Sequence, residues 1–438
     1  GNLTRGGRNH AQYYKFNLHD FYVLCEYVGA DPWYCLPGTI HPEEINLLME
    51  YLGGPANTPG GKIRAELGRP KPWTEVFGNI YVEIGNEAWN PSGYATGSYN
   101  GPSHWHDIFA TAKASPHYAK NTLFVAGAQA GAPHVAQSVL THAPNADLVA
   151  IAPYMIHHLK QSEIEPLDTD EKLFKWVFGF ADWRVNAESG EVRRNYENAA
   201  AKDTELSIYE HNYHITKPSA KDGGAPIGLR NRIIASLGGG LNLINDSLHM
   251  LRDCGVRSQC LFNLNQSSFR EDVKLWGFMP GLSLDAPRYR PNFLAMEVAN
   301  NVLRGDLVET RHSEDEPTFT AHGIMEWRWR QEPEFSDYGP LPTIRSYAFK
   351  HGDTCGLILF NLDTRDAHLA KLHFPGAVKD GTARAWQLTA DSIAANNEYE
   401  TGEPQVRIAT STIQDFANGT VLHLPPHSML AIKWRQQK

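Results

Sequence analysis

Ile80-Tyr81-Val82-Glu83-Ile84-Gly85-Asn86-Glu87 is the stretch on which the fold turns. It is a short apolar run, rich in β-branched and aromatic residues, that stops at a glycine and ends in an amide and a carboxylate. Such a run, too short for a helix and bounded by turn signals, predicts a strand buried on both faces, as in a parallel sheet. The same texture recurs on either side, and strands are predicted at 30–36, 122–126, 147–153, 205–210 and 259–264. Helices are predicted between them. Leu18, Phe21, Leu24, Cys25 and Val28 fall at helical spacing and Gly29 closes the run. His41-Pro42-Glu43-Glu44 opens a second helix with acidic residues in its first turn. Further helices are expected at 104–114, 133–140, 172–183, 229–237 and 291–303. Residues 53–72, rich in Gly and Pro, and 90–101 are predicted as loops. Strands alternating with helices predict parallel βα units, in a barrel or a doubly wound sheet.

Beyond about residue 305 the pattern changes. Short strand candidates at 327–329, 346–350, 355–361, 367–374, 382–388, 405–409, 420–424 and 429–434 follow one another with turn residues between them, which is the signature of a β-sandwich. The expected organisation is an α/β barrel over residues 1–304 and a C-terminal β-sandwich over 305–438. A chain of 438 residues has room for both, at roughly 150 residues per domain.

Composition narrows the function. With 42% hydrophobic and 20% charged residues the chain is not a disordered one. No run approaches the ~18 apolar residues that would span a bilayer, so no membrane role is expected. Lys+Arg is 40 against Asp+Glu 49, a net charge of −9, with no basic cluster, so no nucleic-acid partner is expected. Five cysteines contain no CxxC pair. The compartment, extracellular, periplasmic or cytoplasmic, is left open.

In a barrel the chemistry sits at the carboxyl ends of the strands. Two predicted strands end in a glutamate: Glu87, after Asn86, and Glu210, between Tyr209 and His211. A glutamate at a strand end, taken alone, is more often an exposed residue. The neighbours weigh the other way. Asn86 supplies an amide for a sugar hydroxyl, and Glu210 stands in an apolar strand where an unpaired carboxylate is costly. Two carboxyl groups facing one another across a barrel mouth are what glycoside hydrolysis needs.

Tyr81-Val82-Glu83-Ile84-Gly85-Asn86-Glu87 resembles the acid/base motif of the clan of retaining (β/α)8-barrel glycoside hydrolases, in which an Asn-Glu pair ends the fourth strand and the nucleophile ends the seventh. The wider pattern is similar to glycoside hydrolase family 51, the α-L-arabinofuranosidases. Three regions carry this closer match: 20–32; 51–55 with 64–68; and the tail, with Asn396-Asn397, Pro404-Gln405-Val406 and Leu424-Pro425-Pro426-His427-Ser428. The resemblance implies a TIM barrel followed by a β-sandwich. It implies Glu87 as general acid/base, Glu210 as nucleophile, Asn86 as the ligand of the sugar 2-hydroxyl, Tyr154 near the nucleophile and Asn263 as a sugar-contacting amide. The chain departs from the family pattern where Glu210 is followed by His211-Asn212 rather than Trp-Asn. It departs again where Pro153-Tyr154 stands a turn ahead of His157-His158.

The expected activity is therefore retaining hydrolysis of polysaccharide-derived glycosides, α-L-arabinofuranosides first. Endo- or exo-β-glycosidase action (glucanase, xylanase, xylosidase) on the same scaffold, or an inactive carbohydrate-binding or assembly protein, are the alternatives. A retaining enzyme holds its carboxyl groups about 5–5.5 Å apart, with the acid's pKa raised by the neighbouring charge. No cofactor and no metal are expected, since the histidines show no HExxH-like spacing. Only six α/β strands are predicted where a closed barrel has eight. Aligned by motif, the first two are missing, and residues 1–16 are too short for two βα units of ~30 residues each. An upstream segment or partner chain is expected to complete the barrel. Direct pairing of strands 31–36 and 259–264 would remove that expectation. Whether the chain forms a homo-oligomer is open.

Overall fold

The computed structural model describes residues 3–6, 11–14, 16–87, 89, 101–266, 268, 272–281, 287–326 and 332–437. The strand expected at 327–329 and most of the loop expected at 90–101 lie outside them. The chain forms two compact units, residues 1–152 with 194–209 and residues 153–193 with 210–438.

The first unit opens with an antiparallel hairpin, β1 (Leu3–Gly6) and β2 (Ala11–Tyr14), where no strand was expected. Helix α1 (Leu18–Val28) begins at Asn17, whose side chain accepts from the backbone N–H groups of His19 and Asp20. It ends at Gly29, which takes the left-handed conformation at φ 71°. Strand β3 (Trp33–Leu36) and helix α2 (Pro42–Gly53) follow. The Gly/Pro-rich stretch expected to be a loop contains a helix, α3 (Pro59–Glu66), because Thr58 caps it and Pro59 sits in its first turn, where its missing N–H costs nothing. Then come β4 (Ile80–Ile84), α4 (Gly101–Ala114), β5 (Thr122–Gly127), α5 (His134–His142) and β6 (Leu148–Ile151).

Beyond β6 run α6 (Gln161–Ile164), α7 (Asp170–Asn186), α8 (Glu191–Ala200), β7 (Glu205–His211), α9 (Ile227–Ile234), α10 (Leu237–Cys254), β8 (Gln259–Leu261) and α11 (Pro291–Asn300). Strand β7 passes from one unit to the other. The six strands lie in the order β3-β4-β5-β6-β7-β8, with β3 and β8 at the two ends. Strands β3 to β7 pair in parallel. Each strand lies beside its predecessor, so the order never reverses as it does in a doubly wound sheet. The sheet is a curled half-barrel.

Both faces of β4 are covered, which is why it reads as a continuous apolar run. Ile80, Val82 and Ile84 pack with Ile45, Leu48 and Leu52 of α2 and Trp105 and Phe109 of α4. Tyr81 turns to the other face, stacked on Trp33 at 5.2 Å, in a layer with Val125, Leu148, Ala150 and Tyr209. Fully buried Glu83 accepts from Trp33 Nε1 at 2.9 Å.

The second unit carries the antiparallel sheets. Strands β9 (Asp306–Val308), β10 (Thr318–Ile324), β11 (Phe335–Pro342), β12 (Ile344–His351), β13 (Thr354–Asn361), β14 (His368–Lys371), β15 (Val378–Thr389), β16 (Arg407–Ile413), β17 (Val421–Leu424) and β18 (Ser428–Gln436) form a six-stranded sheet, β16-β15-β18-β13-β12-β9, and the pairs β14-β17 and β10-β11. Side-chain alternation along β13 divides its contacts. Cys355, Leu357 and Leu359 meet Leu422 and Leu424 of β17, while Ile358 and Phe360 belong to a second core with Phe174, Trp176, Leu241, Leu294 and Val298 of the helices.

Helix α10, which contains Gly238-Gly239-Gly240, was not among the expected helices. Ser236 caps it, and the glycines mark close approach. A Cβ on Gly238 would lie 2.3 Å from Phe174, and one on Gly240 2.6 Å from the backbone of Pro291. Among the described residues no helix is long and apolar enough to cross a membrane.

Candidate active site

Glu87 belongs to the first unit and Glu210 to the second. Strand β4 ends by turning sharply. Gly85 has φ 70° and Glu87 itself φ 51°, a left-handed conformation that costs a residue with a side chain about 1–3 kcal/mol. Strain at that position is a sign that the placement of the side chain matters. Asn86 and Glu87 are half-buried. Burial pushes the Glu87 carboxyl above its ordinary pKa. The direction suits a proton donor, and the cause is desolvation rather than a neighbouring charge. Two residues on, Trp89 Nε1 donates to Tyr209 Oη at 3.2 Å, so the segment after Glu87 is tied to β7.

In the second unit, Glu210 accepts a hydrogen bond from the Tyr154 hydroxyl at 2.9 Å. Backbone bonds hold the segment that bears Tyr154 alongside the continuation of β7. Met155 N donates to the Asn212 carbonyl at 2.9 Å and His214 N to the Met155 carbonyl at 2.8 Å. Tyr154 and the nucleophile candidate are thus brought together, as the sequence resemblance implies. Asn263 follows Phe262, which packs edge-on to Tyr154 with ring centroids 6.3 Å apart. Its Nδ2 donates to Gln266 Oε1 at 3.0 Å, while its Oδ1 is buried with no hydrogen-bond partner among the described residues.

Sequence reasoning missed the rest of the aromatic wall beside Tyr154. Trp276 stands 5.4 Å from Phe262 and 6.1 Å from Tyr154, centroid to centroid. Its indole N–H is spent on the Tyr213 carbonyl at 2.8 Å, so it offers a ring face and no donor. Asn212 holds it from behind, donating to the carbonyls of Trp276, at 2.9 Å, and Phe262. His214 stacks on His157 at 4.0 Å and meets Tyr154 edge-on at 5.7 Å. Burial lowers the His157 pKa to about 4, with repulsion from His158 and Lys217 adding to it, and the His214 pKa to about 3, with repulsion from His157, Lys217 and His158 adding to it. The rings are therefore neutral at pH 7. The sequence signals for this wall were weak, since Trp276 follows no strand and His214 lies beyond one. Among the described residues no group of three or more His, Cys, Asp or Glu is arranged to hold a metal ion.

Comparison with known proteins agrees on the fold. No family model matches the chain. The chain is similar to a probable α-L-arabinofuranosidase C of Aspergillus flavus, 33% identical over 78 residues, which are 18% of this chain and 15% of that protein. The match thus spans only 15% of that curated relative's length. Solved structures match nearly end to end. The α-L-arabinofuranosidase of Thermotoga maritima, solved as an arabinose complex, superposes with a TM-score of 0.66 at 18% identity, over 98% of this chain and 81% of that one. The family 51 α-L-arabinofuranosidase of Thermotoga petrophila gives 0.66 at 19% identity, over 98% and 82%. At such identities the likeness is one of fold: a TIM barrel with a β-sandwich.

Proposed function

We propose that this chain is a retaining glycoside hydrolase of the α-L-arabinofuranosidase type, with Glu210 as nucleophile and Glu87 as general acid/base. The observation that carries the reading is the Tyr154 hydroxyl bonded to Glu210 at the carboxyl end of β7, in a fold shared with named arabinofuranosidases. A hydroxyl donating to a carboxylate favours the ionised form, which is the form a nucleophile requires. The burial that raises the Glu87 pKa favours the protonated form that its first task requires.

In the first step Glu210 attacks the anomeric carbon while Glu87 gives its proton to the departing oxygen. In the second, Glu87 takes a proton from water, which displaces Glu210 and restores the configuration. Asn86, beside the acid, hydrogen-bonds the sugar 2-hydroxyl, and Asn263 receives another hydroxyl through its unsatisfied oxygen. Trp276 and Tyr154 supply an apolar surface for the sugar ring.

The test is a panel of aryl glycosides with the wild type, Glu210→Gln and Glu87→Gln. The wild type is expected to turn over the aryl α-L-arabinofuranoside, and Glu210→Gln to lose at least about 1,000-fold in kcat. Azide is expected to restore turnover to the Glu87 variant by replacing water as nucleophile. Equal turnover by the wild type and Glu210→Gln would remove the nucleophile assignment. Preference for an aryl β-xyloside or β-glucoside would remove the sugar assignment alone.

A further inference from the structure

The two-carboxylate reaction gives no task to Asn396-Asn397 or to the residue after them, Glu398. They lie in the connection between β15 and β16. Glu398 is buried against Arg290, which immediately precedes α11 and is itself fully buried. Arg290 Nε and Nη2 both donate to the Glu398 carboxylate, the second at 3.2 Å. Arg290 Nη1 donates to the Lys274 carbonyl at 2.8 Å and to the Gly277 carbonyl at 2.6 Å. One planar guanidinium therefore ties the β15–β16 connection to the two carbonyls that bracket Trp276.

The connection is braced before it meets Arg290. Asn397 accepts from the Val406 N–H at 2.8 Å and donates to the Val406 carbonyl at 2.9 Å, and it donates to the carbonyl of Tyr289, next to Arg290, at 2.9 Å. Lys274 Nζ donates to Glu400 Oε1 at 2.6 Å and lies 3.6 Å from Glu398 Oε2. The segment so held reaches the wall beside the nucleophile. Phe278 N donates to the Asn263 carbonyl at 2.9 Å and Met279 N to the Leu264 carbonyl at 2.8 Å. A Cβ on Gly277 would lie 2.1 Å from the backbone nitrogen of Gln266. Residues 274–279 thus lie directly on 263–266, while the Trp276 indole reaches the Tyr213 carbonyl and the Tyr154 ring. Burying a guanidinium with a carboxylate is costly, and apolar residues of the same volume would stabilise the fold as well or better. What the charged pair adds is geometry, because the fork meets its acceptors only at fixed spacing in one plane.

We propose that Glu398 is a positioning residue for the sugar-binding wall, acting through Arg290 on Trp276. The proposal rests on the reading made above that the sugar ring packs on Trp276. Glu398 fixes the guanidinium, the guanidinium fixes the carbonyls of residues 274 and 277, and the indole between them keeps its face towards the sugar. The β-sandwich thereby contributes to sugar binding through the loop it holds. In Glu398→Gln one carboxylate oxygen becomes an amide NH2, which faces a guanidinium N–H and can no longer accept from it.

The test is a double-mutant cycle on an aryl α-L-arabinofuranoside with the wild type, Glu398→Gln, Trp276→Ala and the double variant, each checked for fold by circular dichroism. Trp276→Ala is expected to raise KM about tenfold or more. Glu398→Gln is expected to raise KM about fivefold or more while kcat stays within about threefold. In the Trp276→Ala background the same change is expected to alter KM by less than about twofold, since the ring it places is gone. A folded Glu398→Gln with wild-type KM overturns the proposal, and so does an equal rise in both backgrounds. Should Glu398→Gln fail to fold, Glu398→Asp, which keeps the charge and shortens the reach, carries the same cycle and the same two outcomes. Unchanged KM in Trp276→Ala would instead overturn the packing of the sugar on Trp276, and this proposal with it.

Discussion

Glu87 carries the most testable electrostatics. In the proposed mechanism its carboxyl acts as the protonated acid, and burial raises its pKa, so kcat/KM is expected to fall as pH rises through a value above the ordinary carboxylate range. A pH profile of Glu87→Gln should lack that limb, and its rate on a substrate with a poor leaving group should drop by about 100-fold or more. His214 has the opposite sign. Its folded pKa of about 3 lies below the unfolded value of about 6.5, so the unfolded chain takes the proton first. Its contribution to stability is therefore complete above about pH 6.5 and is lost as pH falls towards 3. Melting temperatures measured from pH 7 to pH 4 should decline, and His214→Gln should decline less steeply. At this scale the sequence itself marked Glu87, with Asn86 beside it, and Glu210 by their place at strand ends, whereas Tyr154 and Asn263 came only from the resemblance to family 51. Trp276 carries no such local mark, and only its surroundings single it out.

At the scale of elements, glycine misled and the structure shows why. The Gly/Pro-rich stretch 53–72 was expected to be a loop and contains α3, and Gly238-Gly239-Gly240 stands in the first turn of an 18-residue helix. Gly240 has its α-hydrogen against the backbone of Pro291, at the start of α11, and backbone cannot swing aside for a methyl group. Gly240→Ala is expected to destabilise by about 1–3 kcal/mol in denaturant titrations. Gly228, in α9, has nothing within 4 Å of its would-be Cβ, and its substitution by Ala is expected to stabilise by roughly 0.5–1 kcal/mol. The strands of the parallel sheet were easier, since burial on both faces writes a continuous apolar run. Strands β9, β10 and β11 were not anticipated; β9 is only three residues long, and β11 is mostly exposed and contains Gly339-Pro340.

For the whole molecule, the antiparallel sheets share a core with helices α7, α10 and α11. Tyr347, Ile358, Phe360 and Met429 pack in one cluster with Phe174, Leu241, Leu294 and Val298. A chain cut after Arg304 is therefore expected to be insoluble or to bind a hydrophobic dye strongly, whereas two independent domains would leave a soluble, folded 1–304 fragment. By itself the sequence determined the alternation of strand and helix, the change to antiparallel strands near residue 305 and the two glutamates at strand ends. These are local properties, written in periods of two and 3.6 residues and in the residues that stop them. The tertiary structure alone decided that the strand order never reverses, that Trp276 and Phe262 stand beside Tyr154, that three glycines belong inside a helix, and that His211 shares a buried charge set with helices far along the chain. Those facts depend on which surfaces the chain buries against each other, and side chains distant in sequence leave no local pattern of their meeting.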